Sequence, residues 1–135
     1  MAMVLSIRVE LGLLRAIVTG EFSTEEAERT LLEVIDALEP NKIERVLVDG
    51  RGVTGEPNMF QRFLYGEFAA SAVARYVREH RVAHEPQFAY VLQEPVLDPG
   101  RFGETVAVNR GMWVKVFDNF EEALSWLEQA GDGLA

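Results

Sequence analysis

The chain has 135 residues, 48% of them apolar, and 13 lysines and arginines against 22 aspartates and glutamates, a formal charge of −9. That length and mixture suit one domain with a core of its own rather than a disordered chain. An acidic surface repels phosphate backbones, which removes nucleic acid from the expected partners, and the lack of cysteine removes disulfides, thiolate nucleophiles and cysteine-bound metals.

The opening residues carry no basic region or cleavage site of a secretory signal, and no apolar run nears the roughly 18 residues that span a bilayer. A cytoplasmic protein without an integral membrane segment is expected. Met3, Leu5, Ile7, Val9 and Leu11 alternate with Val4, Ser6, Arg8 and Glu10, the period of a half-buried strand. Gly12 permits a tight turn into a second strand over residues 13–19, so the two predict an antiparallel hairpin, with Gly20 and Glu21 as its breaker.

Ser23 and Glu26 form an S-x-x-E capping box behind Phe22. Ala27, Leu31, Val34, Ile35 and Leu38 then share one face of a first helix, which Pro40 and Asn41 stop. Residues 45–49 (Arg-Val-Leu-Val-Asp) form a short apolar run, as in a strand buried on both faces. A loop over residues 50–55 follows, then a long second helix over residues 57–80, with Pro57 in its first turn. Residues 87–93 predict the fourth strand. Asp98 and Pro99 cap and open a third helix that ends before Gly111. Residues 112–117 predict the last strand, and Asp118 with Glu121 caps a final helix carrying Phe120, Ala123, Leu124 and Leu127. Gly131, Asp132 and Gly133 read as a polar tail. The order predicts a single α/β domain over residues 1–135: a mixed, mostly parallel five-stranded sheet with an N-terminal β-hairpin and four helices.

Gly50, Gly52 and Gly55 match G-x-G-x-x-G between a strand and a helix, where a dinucleotide pyrophosphate would sit. The helix starts after the third glycine rather than within the motif, and no acidic residue falls at the end of the next strand. A strand-to-helix loop is the better reading. His80 and His84 are spaced i, i+4 but have no third histidine beside them, so no metal is expected. The serines at 6, 23, 71 and 125 have no evident histidine partner, and no cofactor is called for.

The second helix says more. Phe60, Leu64 and Phe68 lie at i, i+4 and i+8 on its polar side, and each would gain roughly 1.5–3 kcal/mol from burial. Either the third helix, with Phe102 and Val106, covers this stripe, or it meets a partner, a second subunit or an apolar ligand. Arg62 lies near the same helix start, where Arg51, Arg101 and Arg110 would complete an anion-holding cluster. Charge is segmental: residues 1–56 hold six basic and eleven acidic side chains, residues 57–110 six of each, and residues 111–135 one and five. The neutral middle therefore holds both the glycine stretch and the apolar stripe.

The hairpin, the Phe22-Ser23-x-x-Glu26 helix entry, Val46-Leu47-Val48-Asp49 with Gly52-Val53-x-Gly55, and the ending from Gly111 to Asp118 with Glu122-Ala123-Leu124-x-Trp126-Leu127 resemble the STAS-like group of anti-sigma-factor-antagonist-like proteins. The similarity is greatest to its small stand-alone bacterial members and covers nearly the full chain. The resemblance implies helices packed chiefly on one face of the sheet and a non-enzymatic regulatory or binding role. It also implies a fold kinship with lipid-carrying domains of the STAS/Sec14 type. Regulatory STAS domains carry a phosphorylatable serine at the start of the helix after the third strand; here Asn58 stands closest to that place and Thr54 is the nearby hydroxyl.

The expected site accordingly comprises Gly52, Thr54, Gly55, Asn58, Phe60, Arg62, Leu64, Phe68 and Arg110. It would engage a protein partner or a second copy of the chain without chemistry. The alternative is a carrier holding a small apolar or acyl ligand between the second and third helices, with an arginine at the acid group.

Overall fold

The computed structural model describes residues 2–133, the last four as backbone only; Met1, Leu134 and Ala135 of the expected domain lie outside the described residues. Nine elements follow in order: β1 Val4–Glu10, β2 Leu13–Glu21, α1 Thr24–Asp36, β3 Arg45–Thr54, α2 Met59–His80, β4 Gln87–Val91, α3 Phe102–Asn109, β5 Val114–Phe117 and α4 Phe120–Gly133. They form one sheet in the order β1-β2-β3-β4-β5. β1 and β2 are antiparallel and all later neighbours parallel, so the mixed α/β sheet agrees with the reading of the sequence. No helix among the described residues is long and apolar enough to cross a membrane.

Topology decides where the helices go. Each of the crossovers β2-α1-β3, β3-α2-β4 and β4-α3-β5 steps one strand in the same direction, and right-handed crossovers then lay all three helices on one face. That face holds the larger core, built from Leu14, Val46, Val48 and Phe88 of the sheet against Leu31, Val34, Ala70 and Val73 of the helices. α4 has no strand after it and covers the opposite face, where Ala123 and Leu127 meet Leu47, Ala89 and Val91. β3 and β4 are thus buried on both faces, which is why Val46-Leu47-Val48 shows no polar alternation.

Local chemistry accounts for most boundaries. Glu10 pairs with Leu13, leaving Leu11 and Gly12 as a two-residue turn with both φ angles positive, the geometry that matches strand twist. Ser23 caps α1 by accepting from the Glu26 amide at 3.2 Å. The reciprocal half of that capping box is not formed. The Glu26 carboxylate instead accepts from the Met3 amide and from Arg29, tying α1 to the edge of the sheet.

The structure corrects several expected boundaries. The stretch 50–54 is strand, not loop: Gly52 pairs with Thr19 and Thr54 with Glu21. A Cβ on Gly50 would stand 2.7 Å from Leu92 Cδ2, and one on Gly52 would stand 2.7 Å from Thr19 Cγ2. These two glycines therefore serve close packing between neighbouring stretches of the sheet. Gly20 and Glu21 continue β2 beyond a register shift rather than breaking it. α1 ends at Asp36, before Pro40. Asp98 does not open α3; its carboxylate accepts from Gly100 and Phe102 amides at 3.1 and 2.8 Å, closing a turn that delays the helix to Phe102. The cap of α4 is Asn119, whose side chain accepts from the Glu122 amide at 2.9 Å, rather than Asp118. The backbone stays helical through Gly133, where a tail is expected.

Candidate functional site

With β3 running to Thr54, the connection to α2 shortens to Gly55, Glu56, Pro57 and Asn58. Gly55 turns the chain at a φ of 104°, and the Phe22 amide donates to the Thr54 carbonyl at 2.8 Å, fixing the end of the strand. Asn58 caps α2 in a complete reciprocal box. Its side-chain oxygen accepts from the Gln61 amide, and Gln61 Oε1 accepts from the Asn58 amide, both at 2.8 Å. Asn58, expected to stand closest to the place of a phosphorylatable serine, is thus a neutral helix cap. Immediately beyond it Met59 and Phe60 stand 69% and 66% exposed, a pair of large apolar side chains in water at a rigidly capped helix start.

The rest of the stripe behaves differently. Leu64 and Phe68 are half-buried; Phe68 packs on the main core. Both line a surface groove on α2 bordered by Glu28, Glu67 and Arg110. α3 meets α2 on another side, at Gly66. A Cβ there would stand 2.6 Å from the Gly103 carbonyl oxygen and 3.2 Å from Val106 Cβ.

The four arginines do not all gather. Arg51 belongs to the α4 face, where it grips Asp49 through two bonds of 2.9 and 2.8 Å and lies 4.9 Å from the Phe120 ring centre, with Arg15 on the same ring at 4.6 Å. Arg110 pairs with Glu67 at 3.0 Å and lies over Phe63 at 5.5 Å. Arg62 acts as a clamp: Nε donates to the Pro57 carbonyl at 3.1 Å, Nη1 to Val96 at 2.7 Å and Nη2 to Pro95 at 2.9 Å. All three of its nitrogens already serve the backbone, so Arg62 binds the loop before α2 to the loop before α3. The expected four-arginine cluster is thus not formed: Arg51 lies on the α4 face and Arg110 pairs with Glu67, while Arg62 and Arg101 line one cavity. His80 ends α2, His84 follows in the turn, and among the described residues no group of three or more His, Asp or Glu side chains is placed to hold a metal ion.

Behind the clamp lies a cavity of about 150 Å³ between the sheet and the three helices. Val18, Val48, Ala69, Ala107 and Val114 form much of its wall. Two tyrosines supply its polar interior. Tyr65 of α2 and Tyr90 of β4 join hydroxyl to hydroxyl at 2.7 Å, their rings edge to face with centres 6.2 Å apart. Burial pushes the Tyr65 hydroxyl well above the usual phenol range and that of Tyr90 up to about 12, so both are neutral phenols. The sequence gives no spacing signal for this pair: the residues are 25 positions apart, and only the β3-α2-β4 crossover brings them together.

The architecture is that of a STAS-like sandwich. A crystallised anti-sigma factor antagonist from Mycobacterium paratuberculosis superimposes with a TM-score of 0.58 over 94% of this chain and 95% of that one, at 13% identity. An uncharacterised protein with a SpoIIAA-like fold from Shewanella loihica aligns over 93% of this chain and 94% of that one, with a TM-score of 0.47 and 18% identity. No family model matches the sequence, and no curated protein matches it. At such identities the likeness is one of fold.

Proposed function

We propose that this chain is a non-enzymatic regulatory or binding module that engages a protein, a partner or a second copy of itself, through the turn 55–58 and the first turns of α2. The observation that carries the reading is the exposed pair Met59 and Phe60. Large apolar side chains at a capped helix start are suited to burial against another protein surface. Gly52, Thr54 and Gly55 set where the turn leaves the sheet, Asn58 holds the helix start, and Arg62 braces both. Leu64, Phe68 and Arg110 extend the surface along α2. The anti-sigma antagonist fold favours a protein partner, and the charge of −9 disfavours nucleic acid. A reading without chemistry is in keeping with three carboxylates that are engaged structurally: Asp49 with Arg51, Asp98 with two amides, and Glu104 with the Val116 amide. With Asn58 as cap, any regulation of this surface proceeds without a phosphoserine at that position.

The test is a photo-crosslinking amino acid at position 60 in cells, with position 128 on exposed α4 as control. A discrete adduct at 60 and none at 128 is the expected outcome; an adduct of twice the chain mass identifies self-association. No adduct at 60, or the same adducts at both positions, overturns the reading.

A further inference from the structure

The geometry points to a second site, the cavity beneath α2 and α3, as a pocket for one neutral, ring-sized organic molecule bearing a single hydrogen-bond acceptor such as a ketone oxygen. It lies behind the exposed surface of Met59 and Phe60, with Pro57 and Arg62 in its lining, and three observations define its ligand. Size is the first. A largely apolar pocket of about 150 Å³ has the volume for a benzene-sized guest.

Charge is the second. Four ionisable side chains reach the lining: Arg62, Arg101, Asp98 and Glu104. Two are positive and two negative, and each is already bonded to backbone: Arg62 to three carbonyls, Arg101 to the Asp98 carbonyl, Asp98 to two amides and Glu104 to the Val116 amide. An acid guest would meet two fixed carboxylates, an Arg62 whose nitrogens all serve backbone carbonyls, and an Arg101 whose charge acts on Asp98, so the lining offers it no excess of positive charge. The arginine-held acyl group that the sequence alone suggests is therefore replaced by a neutral ligand.

The third is the tyrosine pair. Two phenols hold two hydroxyl hydrogens, and the 2.7 Å bond between them uses one. The other is left to donate into the cavity. A buried donor without an acceptor is costly, so a guest with one acceptor oxygen satisfies it and an all-hydrocarbon guest does not.

Acetophenone, ethylbenzene and benzoate test this, as a ketone, a hydrocarbon of like shape and an anion. Titration followed by amide NMR is expected to show saturable acetophenone shifts centred on Gly50, Val53, Gly66 and Gly103, ethylbenzene binding about tenfold weaker for want of one hydrogen bond, and no benzoate binding. In the double variant Y65F/Y90F the ketone preference disappears while ethylbenzene still binds, an outcome that general damage to the fold would not give. Ala69→Leu, or Ala107→Leu should the first fail to give a folded spectrum, fills the cavity and abolishes acetophenone shifts. Shifts absent from the cavity amides, benzoate binding as well as the ketone, a ketone preference surviving in Y65F/Y90F, or undiminished binding in the filled variant would each overturn the proposal.

Discussion

Gly66 of α2 lies so close to Gly103 of α3 that a Cβ on Gly66 would stand 2.6 Å from the Gly103 carbonyl oxygen. Neither glycine needs an unusual φ; what they provide is contact between helix backbones. The short α3, with only eight residues, holds its place against α2 through this approach and through the Arg62 clamp.

Gly66→Ala is therefore expected to destabilise the fold by about 1–3 kcal/mol, the cost of overpacking a tight contact, despite the better helix propensity of alanine. Ser71→Ala, at an exposed position of the same helix, is expected to stay within about 0.5 kcal/mol of wild type. Urea denaturation of both variants checks the difference, which propensity alone would predict with the opposite sign.

Replacing Arg62 by methionine keeps the length of the side chain and removes its donors. The Val96 and Pro95 carbonyls then lose their partners, at a cost of about 1–3 kcal/mol for the more buried of them. Arg62→Lys recovers only part of this, because one ammonium cannot reproduce the planar fork that reaches three carbonyls. Hydrogen exchange locates the effect: the Leu97 amide, which donates to the Gln93 carbonyl at 2.8 Å, exchanges faster in the methionine variant while amides of β3 are unchanged.

Asn58 offers a change in the favourable direction. α2 has no acidic residue in its first turn, so its positive end is uncompensated. Asn58→Asp keeps an oxygen for the Gln61 amide and adds a negative charge, a gain of about 0.3–1 kcal/mol. Asn58→Ala loses the cap at a cost of about 1 kcal/mol. Thermal melts at low salt measure both, and the aspartate gain shrinks as salt is raised.

Signals carried within a few residues were legible in the sequence: the turn at Gly12, the Ser23 cap, and the doubly buried run Val46-Leu47-Val48. What escaped depends on neighbours far along the chain. Gly50 and Gly52 resemble a loop until Leu92 and Thr19 are seen pressing on them. Asp98 has the look of a helix cap, and its turn is extended by bonds to Gly100 and Phe102. The exposed start of α2 could be reached from periodicity, since Phe60 lies on a polar helix face. The cavity could not, because Tyr65 and Tyr90 read separately as ordinary core residues.

The Asp49–Arg51 pair makes a prediction about pH. Asp49 is 6% exposed, and the Arg51 side-chain hydrogen bonds, foremost among the causes, hold its carboxyl below the usual range against the opposing effect of burial. A carboxyl whose pKa is lower in the folded state adds stability that is complete above its unfolded pKa, near 3.9, and is lost as pH falls through the folded value. Below that point the protonated acid no longer grips Arg51, and the Arg15–Phe120–Arg51 stack loses the anchor that orients one of its two guanidinium groups. Asp49→Asn removes this titration. The variant is expected to be less stable than wild type at pH 7, and the gap is expected to narrow as pH drops from 4 towards 2. Urea midpoints across that range test the sign: a gap that stayed constant, or widened in acid, would show that Asp49 contributes through packing rather than through its charge.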